Sequence, residues 1–184
     1  MIKIVLLFLP LFWVVQPLFS QSDGPRAITP QILENIKVTV EKQVIAFEKT
    51  LSKQDMTADA IEFAIDTFRI EQILLKRMDI DYTTAGMNFT VREMASSYDK
   101  LMNKYYNKLM NMLSLNDRKI LIAAQKAWLV YRDAEAKLIG TITDPVYSGG
   151  GTMQSNIATG NYADLVVRRT IQIFQYYLSV IENK

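Results

Sequence analysis

Apolar residues recur every third or fourth position along five separate stretches of this chain. Nowhere do they alternate at period two over the length of a strand. That single property limits the fold more than any other, because a 3.6-residue period builds helices with one buried face. The expectation is an all-α, single-domain bundle of about five helices.

The helix boundaries follow from local signals. Thr29-Pro30 reads as an N-cap followed by proline at the first helical position. Ile32, Ile36, Val40, Val44, Phe47 and Leu51 then mark the inner face of a first helix, about 30–51. Thr57 caps a second helix, with Ile61, Ile65, Phe68, Gln72 and Leu75 inward and an end near Met78. A third runs from about Thr84 to Leu113 along Met87, Val91, Met94, Tyr98, Leu101, Met102, Tyr105, Leu109 and Met112. Ser114 with Asp117 resembles a capping box for a fourth helix, about 115–140, with Gly140 as its C-terminal cap. Thr141 to Gly151 reads as a loop, and Thr152 as the cap of a last helix, 153–182, bent or interrupted at Gly160.

The first twenty residues read as a secretory signal peptide: a positive Met1-Ile2-Lys3, an apolar run from Ile4 to Val15, and a cleavage point at Ser20/Gln21. A membrane anchor is disfavoured by the shortness of the run and by Pro10 within it. Residues 21–28 read as a flexible leader, 29–80 as an N-terminal helix pair, and 81–184 as a helical region packed with that pair as one domain. The expected location is the periplasm or the outside of the cell. Contact with the membrane is only transient, through the signal peptide. The chain has no cysteine, so a bacterial lipid anchor is excluded and no disulfide contributes to stability.

The charge balance is nearly even. Setting Lys3 aside, 21 − 1 = 20 basic residues stand against 19 acidic ones, which gives no reason to expect nucleic acid. Histidine is absent as well, removing the usual catalytic base and all Cys/His metal sites. No nucleotide loop is present, because the Gly149-Gly150-Gly151 run lacks the Gly-Lys-Ser/Thr ending. Asp133 and Glu135 point about 200° apart on a helix, too far for a glycosidase pair. No enzyme activity, cofactor or metal is expected.

Two segments stand out. Gln125, Trp128, Arg132 and Glu135 share one helical face, where a helix built only to pack would carry aliphatics. Polar groups beside a tryptophan must be paired if buried. With Asn103, Asp133 and Arg169 they read as a structural polar cluster. Trp128 is a core residue whose indole N–H seeks Asn103 or a backbone carbonyl, and Arg132 seeks Asp99, Asp133 or Glu135. The second segment is Tyr147-Ser148-Gly149-Gly150-Gly151-Thr152, either a tight connection or a loop presented to a partner, with backbone N–H groups at a helix start.

The combination resembles the secreted bacterial proteins of the lysozyme inhibitor LprI-like family. The resemblance is carried by Met87-Asn88, Tyr98-Asp99, Met102-Asn103, Tyr106, the run Leu121 to Glu135, Gly150-Gly151-Thr152-Met153, and Leu165 with Arg169. Proteins of this kind often carry cysteines where this chain has Thr90, Ala136 and Asn161. The resemblance implies a non-enzymatic binding protein that inhibits a lysozyme or another peptidoglycan hydrolase by a loop contact. The alternative is an envelope adaptor or assembly protein that binds another protein through residues 29–78.

Overall fold

The structure, a computed structural model, describes residues 24–182; the proposed signal peptide lies outside them. Among the described residues there are six helices and no strand: α1 (Pro30–Leu51), α2 (Ala58–Met78), α3 (Thr84–Met112), α4 (Leu115–Ile142), α5 (Pro145–Ser148) and α6 (Met153–Glu182). The all-α expectation holds, with one short helix more than the apolar periodicity indicates. None of these helices is long and apolar enough to cross a membrane.

Hydroxyl caps set four of the starts. Thr29, Thr57 and Thr83 accept hydrogen bonds from the N–H groups of Ile32, Ala60 and Gly86 at 3.2, 3.2 and 2.9 Å. Ser114 accepts from the Asp117 N–H at 3.3 Å and donates its hydroxyl proton to the Asp117 carboxylate at 2.6 Å. Each cap satisfies a backbone donor that a helix start leaves open.

The centre of the molecule is the long contact of α3 with α6. Met102, Tyr105 and Ile173 are fully enclosed there. Phe63 of α2 lies flat on Phe174 of α6, ring centroids 3.9 Å apart, and Tyr105 meets both edge-on at 5.3 and 4.9 Å. The buried Thr170 hydroxyl ties the pair, 3.0 Å from the Tyr98 carbonyl and 2.8 Å from that of Val166.

Helix α2 covers one side of α3, and α1 covers α2 with Ile36, Val40 and Val44. Ions reinforce both seams. Lys104 reaches Asp66 at 2.6 Å and Glu62 at 2.9 Å, and Lys108 reaches Glu62 at 2.6 Å and Asp59 at 2.7 Å. Arg69 of α2 holds Glu41 of α1 at 2.6 Å. The leader is tied at its end, where the Arg26 N–H donates to the Ile80 carbonyl at 2.9 Å.

Three expectations are corrected. Leu75 is exposed, because α2 lies between two helices and spreads its buried surface over two sides instead of one stripe. Gly140 does not end α4; the helix continues to Ile142, where the Thr143 hydroxyl donates to the Ile139 carbonyl at 2.7 Å. Gly160 does not interrupt α6, which runs unbroken through it.

Candidate functional site

Helix α4 positions both segments singled out in the sequence. It is the most lightly attached of the long helices, touching chiefly α6 and burying fully only Leu121 and Ile139. The side it turns inward carries the polar motif.

Gln125 and Arg169 form the closest link. The Gln125 side-chain oxygen accepts from Arg169 Nε at 3.0 Å and from Nη2 at 2.9 Å, while its amide nitrogen contacts Met102 Sδ at 3.6 Å. Arg169 Nη1 donates to Gln172 Oε1 at 2.6 Å. Burial pushes the Arg169 guanidinium below its ordinary pKa. The half-buried Trp128 ring lies beneath two cations, with Arg132 Cζ 5.6 Å and Arg169 Cζ 5.7 Å from its centroid. Such stacking suits a guanidinium, which is weakly hydrated and planar.

The rest of the cluster is looser. Arg132 donates to Asp133 Oδ1 from Nε at 2.9 Å and Nη2 at 2.7 Å, and Asp133 is exposed. Burial is the largest single influence on Arg132 and would lower its pKa, yet the Asp133 bond together with the nearby Tyr162, Asp133 and Asp99 charges holds the group raised. Asn103 is exposed and donates to Asp99 at 3.2 Å, so it pairs within its own helix and not with Trp128. Glu135 is half-buried. The geometry thus joins Gln125, Trp128, Arg132 and Arg169, and leaves Asn103, Asp133 and Glu135 at the margin.

The glycine segment is a compact turn. Asp144 caps α5, accepting from the Val146 N–H at 2.9 Å, and Pro145 opens it. Gly149, Gly150 and Gly151 all lie in the left-handed region, at φ 76°, 82° and 98°. That conformation strains any residue with a Cβ. The Ser148 hydroxyl donates to the Thr143 carbonyl at 3.1 Å and accepts the Gly150 N–H at 3.2 Å. The Gly150 donor is therefore used internally. Tyr147 and Thr152 are exposed.

Sequence reasoning missed the outer side of α4. Ile120, Ala127, Val130, Tyr131, Ala134 and Leu138 form an exposed apolar stripe. Ile142 extends it to the end of α4, and Val146 and Tyr147 of α5 are exposed as well, Val146 at 81%. Lys119, Lys126 and Lys137 stand 7 and 11 residues apart, so they share one rim of this stripe. The signal was present as a second 3–4 spacing, out of phase with the motif.

Among the described residues no group of three or more acidic side chains could hold a metal. The family model of Lysozyme inhibitor LprI matches residues 76–173. No curated protein and no solved structure matches the chain.

Proposed function

The chain belongs to the lysozyme inhibitor LprI family, and from that premise we propose that it is an exported, non-enzymatic protein that binds and restrains a lysozyme or a related peptidoglycan hydrolase. The contact surface in this reading is the outer side of α4 together with the turn from Tyr147 to Thr152. The observation that supports it is the apolar stripe of α4 with its lysine rim, running from Ile120 to Ile142, with exposed Val146 and Tyr147 beyond it. Glycoside hydrolases of the lysozyme type work with paired carboxylates in a cleft. A ridge with an apolar crest and a basic edge complements such a cleft in shape and charge. The polar cluster of Gln125, Trp128, Arg132 and Arg169 serves in this reading to hold the ridge on α6.

Export rests on the sequence of Met1 to Gln21. Mass spectrometry of the secreted form should find a chain beginning at Gln21.

The test is a lysis assay on peptidoglycan with the purified chain added. Micromolar protein should slow at least one class of lysozyme. Lys126→Glu combined with Lys137→Glu should weaken the effect tenfold or more, and added salt should weaken it in the parent. No slowing across several lysozyme classes rules the proposal out. The adaptor reading draws less support, since α1 turns Ile36, Val40 and Val44 onto α2 and leaves only scattered apolar residues such as Val38 and Ile45 outward.

A further inference from the structure

We infer that the cavity between α1, α2 and α3 is a binding site for a small monocarboxylate with an apolar tail, its carboxylate held by Arg77. The inference is independent of the lysozyme reading and concerns the opposite part of the molecule.

Arg77 sits in the last turn of α2 and is only 5% exposed. Its Nε is buried and has no hydrogen-bond partner. Its guanidinium forms no ion pair among the described residues; one face meets the Phe89 ring, 5.1 Å from the centroid. A largely buried cation without a counter-charge is unfavourable in a finished structure, and at Nε burial has removed water that no protein group replaces. Arg69, two turns earlier on α2, shows the contrast: it lines the same cavity, but its donors are already taken by Glu41 and Asp66. Arg77 therefore presents unused, planar, two-pronged donors, the geometry that fits a carboxylate.

The cavity beside it holds about 300 Å³. Leu33, Ile70, Ile73 and Met94 supply apolar wall, and Lys37 adds a third cation beside Arg77 and the already paired Arg69. Glu93 is the one carboxylate in the lining, and among the described ion pairs none joins it to Arg77. At roughly 30 Å³ for each water-sized group, the space suits roughly ten non-hydrogen atoms. A bare inorganic anion would leave the apolar wall wet, and an uncharged alcohol would leave Arg77 unpaired. A carboxylate on a short hydrocarbon chain answers both.

Calorimetric titration and thermal unfolding of the purified chain test this, with sodium octanoate, 1-octanol and sodium sulfate as probes. Octanoate should bind once per chain and raise Tm. Octanol should bind at least tenfold more weakly, and sulfate should leave Tm unchanged at the same concentration. Arg77→Gln should lose octanoate binding at least tenfold. Because that variant can fail to fold, Leu33→Trp provides a second reading: it fills the cavity from a half-buried position, keeps Arg77, and should also lose binding. Equal binding of octanoate and octanol overturns the inference. So does a Tm rise with sulfate equal to that with octanoate, undiminished binding by Leu33→Trp, or no octanoate binding at millimolar concentration.

Discussion

Arg169 on α6 donates two hydrogen bonds to one oxygen of Gln125 on α4, at 3.0 and 2.9 Å, and among the described residues no carboxylate shares the load. A buried arginine is thus stabilised by neutral acceptors and a tryptophan face. Gln125→Leu should remove that acceptor and leave the cation under-satisfied, costing about 1–3 kcal/mol. Gln125→Glu should be neutral or stabilising, because it supplies the missing charge. Urea unfolding of both variants checks the pair of outcomes.

Acid should loosen the α2–α3 seam. Hydrogen bonds from Lys104 and then Lys108 hold the Glu62 carboxyl at about 2, below its ordinary 4.5. Glu41 is lowered too, by Arg69. The unfolded chain therefore takes up protons first, so stability is fully present above pH 4.5 and declines as pH falls towards 2. Tm measured across that window should drop, and Glu62→Gln should flatten the part of the slope that comes from this group.

Truncation should separate the two sides of the bundle. Ile173 is fully enclosed between α3 and α6, and Ile173→Ala should cost about 2–5 kcal/mol. Val130 is 72% exposed on α4, and Val130→Ala should stay within about 0.5 kcal/mol. Chemical denaturation of the two variants decides this. If Val130→Ala also weakens lysozyme binding, the loss is a contact effect and not unfolding.

The glycine turn should resist side chains. Gly149→Ala meets no neighbour, yet φ of 76° strains it, at a cost of about 1–2 kcal/mol. The strain is local, so the expected result is a lowered Tm together with faster amide exchange around 145–152, read by hydrogen–deuterium exchange.

The helices were legible because their starts are chemical. Thr29-Pro30, Thr57 and Ser114 can each be read as a cap without knowing what the helix packs on. Interior breaks were not legible. Gly140 reads as a stop, but an exposed glycine with open space around it is tolerated within a helix. Spacing also says that a face is apolar without saying what covers it. Leu75 and Leu138 carry the same signal as Ile36, and only the assembled bundle distinguishes them. In the polar cluster, the motif face of α4 was visible, but the choice of Gln125 and not a carboxylate as the partner of Arg169 depends on the helix crossing. Arg77 gave no sign at all: Lys76-Arg77 at a helix end looks like an ordinary favourable placement of cations.

The aromatic cluster carries a further consequence. The span shared with the family ends at residue 173 and begins at 76. Phe63 lies before it, and Phe174 and Tyr177 lie after it, yet these three rings surround Tyr105 at its centre. Asp59 and Glu62, the counter-charges of Lys108, are outside as well. The matched span and the packed core therefore have different limits. A fragment excised at the family boundaries would keep Tyr105 and both lysines but lose the rings and charges that enclose them. Thermal unfolding of a fragment spanning 76–173 should accordingly lie well below that of the whole chain.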